Sequence, residues 1–207
     1  YKGNWQMNLA SNKQSPMISF EDHRKPDRNG AIGITIVEER FQGFLNLRFD
    51  SSNTNCLAAV KQIYGVDVPS EANIFSTTDN AVVYWLGPDE WLVKLKSEDE
   101  VQTSEFLEVA GDNHCAATDL SSGTTLLRLS GPSVENVLRQ GITFDIHPRA
   151  FKFGSCAQTV FAHANVLLVR SSENTDELEM IMRRSFADHI MLFLLNAAAD
   201  YGYELRC

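Results

Sequence analysis

Nowhere in the sequence do about 18 residues in succession stay apolar, the length a bilayer-spanning helix needs, so no such span is expected. The opening residues, YKGNWQMNLASNKQSP, hold no apolar core of the kind a secretory leader carries, and no leader is expected there. Basic residues are scarce, with 18 Lys and Arg against 27 Asp and Glu for a formal net charge of −9. Phosphate binding needs a basic patch that displaces counterions. The pairs Arg24-Lys25 and Arg183-Arg184 are flanked by acidic or apolar residues and form no basic stripe, which argues against a nucleic-acid partner. Cysteine is sparse too: Cys56, Cys115, Cys156 and Cys207 share no C-x-x-C spacing. Thiols scattered in this way suit a reduced, cytoplasmic protein rather than a disulfide framework.

Motifs that announce chemistry are missing as well. There is no G-x-G-x-x-G and no G-K-[ST]; the stretch LSGPS has one glycine where a dinucleotide fingerprint needs three, and reads as a helix cap. His23, His114, His147, His163 and His189 are dispersed, without H-E-x-x-H or H-x-H. His114 and Cys115, as neighbours on a strand, point to opposite faces, so no metal site is expected. The acidic pairs Asp89-Glu90 and Asp176-Glu177 sit at turns before strands. Asp99-Glu100 falls in a first helical turn, where negative charge suits the helix dipole.

What the sequence does contain is enough apolar residue, 43% against 22% charged, to bury an ordinary core. Residues 1–30 are polar and turn-rich, with Trp5, Met7, Met17, Ile18 and Phe20 as the apolar handles, and are expected to form an N-terminal extension. Ordered chain is expected from near Ala31, making 31–207 the folded domain. There AIGITIVEE is β-branched, and GFLNLRF alternates with period two.

One plan then runs twice, in pseudo-repeats 31–111 and 112–207. In the first, strand GFLNLRF precedes helix SSNTNCLAAVKQIYG, which puts Leu57, Val60, Ile63 and Tyr64 on one face and Gly65 past its end. A hairpin, NAVVYWLGPDEWLVKLK, turns on Gly87-Pro88-Asp89. A second helix, SEDEVQTSEFLEVAG, has Ser97 and Glu100 as a capping box and Gly111 as its stop. In the second, strand TTLLRLS leads to the short helix GPSVENVLRQG, with Pro132 at its start and Gly141 as its stop. A strand pair turns near His163-Ala164-Asn165, ELEMIMRR forms a further strand, and Ser185 caps a closing helix. Two β-α-β-β-α halves of this order predict an α+β fold with helices on one side of mainly antiparallel sheets.

The segment HPRAFKFGSCAQT poses the catalytic question, because His147, Cys156 and Gln158 stand close along the chain. A catalytic thiol needs a depressed pKa from an imidazole or a helix N-terminus. Cys156 leads into a strand pattern, AQTVFA, and Pro148 holds His147 extended. The favoured reading is a packing thiol beside a loop imidazole; a cysteine-dependent hydrolase is the rival. No catalytic, cofactor-binding or metal residue is assigned. The closing helix is harder to place. Its run from Ile190 to Leu195 has no polar break and covers nearly the whole circumference, so its second face is expected to meet either the other half-sheet or another chain.

Five segments together, ERFQGFLNLR, WLGPDEWL, LSGP, DIHPRAFKFGSCAQT and RRSFADHI, resemble the gamma subunit of heterotetrameric sarcosine oxidase. The resemblance runs from about Ile34 to Tyr201. It covers equally the counterpart subunit of N-methylglutamate dehydrogenase. Through VVYWLGPDEWLV, TDLSSGTTLLRLSGP and VLLVRSSENTDELEMIM it extends to the folate-binding aminomethyltransferase, or T-protein, and implies two intertwined α+β halves. At the positions that serve folate in that family the sequence reads STTDN and SSENTDE. Asp79 remains, but the glycines of both loops are missing, and backbone that needs positive φ loses that freedom with them. The resemblance implies a non-catalytic subunit of a flavoenzyme that demethylates sarcosine to glycine and passes the one-carbon unit to tetrahydrofolate. The FAD, FMN, NAD and folate sites would lie in the larger alpha and beta subunits, and the implied partners are the alpha, beta and delta subunits. A stand-alone folate-dependent aminomethyl carrier is the other reading.

Overall fold

The computed structural model describes residues 13–20, 22–173 and 176–206. In chain order, strands β1 (His23–Lys25), β2 (Ile34–Glu39) and β3 (Gly43–Phe49) lead into helix α1 (Thr54–Tyr64). Strands β4 (Phe75–Thr77), β5 (Ala81–Gly87) and β6 (Glu90–Leu95) and helix α2 (Thr103–Ala110) follow. Next come β7 (Cys115–Asp119), β8 (Thr124–Ser130), α3 (Val134–Leu138), β9 (Cys156–Phe161) and β10 (Ala164–Val169). The chain ends with β11 (Glu177–Arg183), α4 (Ala187–Ala198) and β12 (Tyr203–Arg206).

Two sheets form, in the orders β4-β5-β6-β3-β7 and β1-β12-β2-β8-β11-β10-β9. All neighbours are antiparallel except β12 and β2. The sequence β-β-α-β-β-β-α runs from β2 to α2 and again from β7 to α4. The leading strand of each run crosses over: β2 pairs with β8 in the second run's sheet, and β7 pairs with β3 in the first run's sheet. The halves are intertwined by this exchange. Residues 40–42 link β2 to β3 without a hairpin, with Phe41 at φ 56° where the chain leaves one sheet for the other.

Strand alternation makes four layers. Leu45, Leu47 and Phe49 of β3 face α1 and α2, while Phe44 faces the other sheet. Leu178, Met180 and Met182 of β11 face α3 and α4, while Ile181 points inward between the sheets. Both faces of each sheet are thus covered, so the Leu-Leu and Ile-Met runs need no exposed side. Helix α1 forms where expected. Asn53 Oδ1 accepts from the N–H groups of Asn55 and Cys56 at 3.1 and 3.2 Å, and Gly65 closes the helix at φ 70°.

Several expectations are corrected. The capping box on Ser97 caps only a short 3-10 turn, Glu98–Glu100; half-buried Val101 packs into the core, and α2 starts at Thr103. Ser185 lies inside a 3-10 turn, Arg184–Phe186, and makes no side-chain cap for α4. The β9–β10 turn falls on Ala162 and His163, at φ 48° and 69°, because Ala164 already pairs with Phe161 in the ladder. Gly141 is no left-handed stop for α3. A Cβ there would lie 2.8 Å from the Phe161 ring and 2.9 Å from Phe193.

Nor does ordered structure wait for Ala31. Met17 is fully buried in the core beneath α4, and β1 pairs with β12. Ser15 Oγ donates to the buried Glu38 carboxylate, which also accepts from Arg40 Nε at 3.2 Å and Thr125 Oγ1 at 3.3 Å. Residues 13–20 therefore add a donor to a buried carboxylate that Arg40 and Thr125 also hold. Trp5 and Met7 lie outside the described residues. The closing helix resolves mainly inward. Ile190, Met191 and Leu194 are fully buried, Phe193 and Leu195 half-buried, and Leu192 alone of the run stands out, 60% exposed.

Candidate functional site

The segment 147–158 divides between two environments. His147 closes its own loop: its N–H donates to Asp145 Oδ1 at 3.0 Å and its Nδ1 accepts from the Arg149 N–H at 3.2 Å. Cys156 opens β9 inside the layer between the sheets and is fully buried. Its S–H donates toward the carbonyl oxygens of Ile74 at 3.3 Å and Trp85 at 3.7 Å. Burial pushes the thiol up to about 11. A nucleophilic cysteine works as the thiolate, so a protonated thiol sealed in the core is structural. The structure leaves His147 on its loop and gives Cys156 to the core.

Gln158 has the partner that the sequence did not disclose. Its Nε2 donates to Leu86 O at 2.8 Å and ties β9 to the β5–β6 hairpin. Arg170, at the end of β10, organises the loop before β9. Its Nε donates to Phe151 O at 2.7 Å, its guanidinium NH2 group to Ile146 O at 2.8 Å, and its plane lies 5.8 Å from the Phe151 ring centroid. Burial pulls its pKa down while Glu135 and Asp176 push it up; arginine stays cationic throughout. An arginine ending the apolar strand ANVLLVR was the available signal for this role.

Beyond Gln158 the two sheets part into an apolar groove of about 430 Å³. Leu86 and Leu92 line it from one sheet, Val160, Leu167 and Ile181 from the other, and Gln158 and Arg183 supply polar groups. An apolar slot with a few fixed polar groups suits the side chains or ring of a ligand or partner. It contains no nucleophile paired with a base. Among the described residues no group of three or more His, Cys, Asp or Glu side chains could hold a metal ion. Three of the five segments that carry the family resemblance converge here: WLGPDEWL gives Leu86 and Leu92, FGSCAQT gives Gln158 and Thr159, and RRSFADHI gives Arg183.

A family model described as sarcosine oxidase, gamma subunit family matches residues 48–200. The chain belongs to the sarcosine oxidase gamma subunit family. Among its relatives, the sarcosine oxidase subunit gamma of Corynebacterium sp. (strain P-1) is 32% identical over 71% of this chain and 71% of its own. That of Corynebacterium sp. (strain U-96) is 31% identical over 84% of this chain and 83% of its own. Among solved structures, a chain of the heterotetrameric sarcosine oxidase from Corynebacterium sp. U-96, in complex with pyrrole 2-carboxylate, superposes with a TM-score of 0.79. It is 26% identical and aligns over 91% of this chain and 96% of that one. The glycine cleavage system aminomethyltransferase T from Bartonella henselae shares the fold, with a TM-score of 0.64 at 12% identity over 94% of this chain and 59% of that one. The gamma-subunit resemblance and the intertwined α+β fold both hold.

In this gamma-family chain the described positions aligned by motif with the folate loops are not among the residues that line the groove. Asp79 is exposed in the β4–β5 turn, where Thr78 N–H donates to Ala81 O at 2.9 Å. Of the second loop, Asn174 and Thr175 lie outside the described residues.

Proposed function

We propose that this chain is the small accessory subunit of a heterotetrameric sarcosine oxidase and has no reactive centre of its own. The observation that carries the reading is the superposition along nearly the whole of both chains with one member of a heterotetrameric sarcosine oxidase. The burial of Cys156 supports it from inside the molecule, since the thiol that raised the catalytic question is sealed away. On this reading the partners are alpha, beta and delta subunits, and the oxidative demethylation of sarcosine to glycine takes place on the larger alpha and beta subunits. These two hold FAD, FMN and NAD, and tetrahydrofolate receives the one-carbon unit. The groove between the sheets, with exposed Phe153 and Leu192, provides apolar surface for those companions. The assembly is soluble and cytoplasmic; no described helix is long and apolar enough to cross a membrane.

Co-expression of the tagged chain with the large flavoprotein subunits tests this. The expected result is a stable assembly that oxidises sarcosine in preference to N-methylglutamate and keeps its turnover when Cys156→Ala is introduced. Turnover of an N-methyl amine by the isolated chain, tetrahydrofolate binding to it by calorimetry, or inactivation by alkylation of Cys156 would each overturn the reading.

A further inference from the structure

The inner face of the larger sheet, the one that holds β8 to β11, is not covered along its whole length. In the row Gln158, Leu167, Ile181 and Leu126, the three apolar residues are buried between the sheets. The next row on that face sets Val160 beside Asn165 and Arg183 beside Thr124. There the cover runs out: Val160 is 41% exposed, and Asn165 and Arg183 are exposed as well. This ledge is the open end of the apolar groove. The described chain starts beside it. Residues Lys13 to Pro16 line a hollow of which Thr124 is also a wall, and Thr124 lines the groove too. The Arg184 guanidinium, next along the chain from Arg183, donates to Gln14 O. Twelve residues, YKGNWQMNLASN, precede Lys13 and lie outside the described residues. Among them Trp5, Met7 and Leu9 alternate with Gln6 and Asn8, the period of a strand with one buried face.

We propose that residues 5–9 lie extended over this ledge of their own chain and close the groove, with Trp5, Met7 and Leu9 turned to the sheet and Gln6 and Asn8 to solvent. The lengths agree. The steps from Trp5 to Leu9 cover about 13 Å at the rise of a strand. The strand spacings from β8 through β11 and β10 to β9 come to about 14 Å. From Lys13 back to Leu9 the chain reaches about 13 Å, enough to set Leu9 at the Thr124 corner and Trp5 beside Val160. An indole and a thioether fill an irregular apolar slot well, and Gln158 and Asn165 offer acceptors to the Trp5 N–H. In the chain on its own the segment thus keeps this apolar surface from solvent. That the companions later take the groove over from it rests on the assembly reading; the closure itself does not.

Photo-crosslinking in the full chain, without companions, tests this. The photoreactive residue p-benzoylphenylalanine replaces Met7 in one protein and Asn8 in another, and the products of irradiation are mapped by mass spectrometry. The expected result is an intramolecular crosslink from position 7 to peptides carrying Asn165 to Leu167 or Leu86 to Leu92, several-fold stronger than from position 8. Trp5 emission, taken as the difference between the parent and Trp5→Ala, should be blue-shifted and shielded from acrylamide, and should move to the red in Val160→Glu. Absence of a crosslink from position 7 to the groove, equal crosslinks from positions 7 and 8, or products that join two copies of the chain would each overturn the proposal. So would a Trp5 emission that Val160→Glu leaves unchanged. Because no companion is present, these outcomes leave the assembly reading untouched, and co-expression tests that reading separately.

Discussion

Lys94 Nζ stands 3.0 Å from Glu179 Oε2 across the layer between the sheets, one residue on β6 and the other on β11. The Tyr84 hydroxyl, fully buried, donates to the same carboxylate at 3.5 Å, and burial together with the Glu179 charge raises its pKa well above the usual phenol value. The inter-sheet layer is otherwise apolar, with Phe44, Leu92, Leu126 and Ile181 packed around it. A charge pair in such a place adds little over apolar side chains of the same volume, but breaking it strands the survivor.

Glu179→Ala is therefore expected to lower unfolding stability by about 3 kcal/mol or more, since it leaves an ammonium and a phenol without their acceptor. The double variant Lys94→Met, Glu179→Leu should return close to the parent. Urea unfolding of the three proteins checks this. Equal losses for the single and double variants would show that the pair matters only for its packing.

Alkaline pH should act through Cys156. Its folded thiol sits at about 11 against 9.0 for an exposed one. A folded pKa above the unfolded value means that the unfolded state gives up its proton first. Stability is whole below 9.0 and declines as pH rises through about 11. The full difference corresponds to ~3 kcal/mol. In Cys156→Ala the urea midpoint starts lower, because packing is lost, but should fall less over that window. Parallel pH profiles for parent and variant would remove Cys156 from the account.

The paired strand-helix-hairpin-helix plan was legible because its long elements alternate clearly, and both helix faces and strand faces show their period in GFLNLRF and NCLAAVKQIY. Strands β1, β4, β7 and β12 were not, and the reason is physical. Each is short, three of them lie at sheet edges, and their half-exposed patterns leave no run for a period to show. That the halves are intertwined was read from family likeness rather than from the residues themselves, and the crossing of β2 and β7 that intertwines them was not read at all. In the candidate site, Cys156 could be judged structural from the strand pattern that follows it. Gln158 could not be placed, because its partner Leu86 is 72 positions away. Gly141 was misread for a related reason: the two rings that forbid a side chain there come from β9 and α4.

The N-terminal segment gives a sharper test. A disordered extension tolerates any change, with effects inside about 0.5 kcal/mol. Met17 in the core implies instead that Met17→Ala costs about 2–5 kcal/mol. Ser15→Ala should also be felt, as it takes a donor from buried Glu38. A melting temperature unchanged by Met17→Ala would return residues 13–20 to the status of a tail.

Arg170 offers the last test, one that separates a local effect from a global one. Its fork spans two carbonyls, Phe151 O and Ile146 O, which a lysine ammonium on a single stem does not match in geometry. Arg170→Lys should therefore keep the charge and lose one of these charge-assisted bonds to the loop, at a cost of about 1.5–3 kcal/mol. The loss should be concentrated in the loop. The amides of Phe151 and Gly154, which donate to His147 O at 2.9 Å and Arg170 O at 3.1 Å, are expected to exchange hydrogen faster in the variant. The β10–β11 ladder from Val166 to Val169 should keep its protection. If the loop and the ladder lose protection together, Arg170 supports the whole sheet, and the shaping of HPRAFKFGS must be credited to Phe144 and Phe151, whose rings meet edge to face at 5.4 Å.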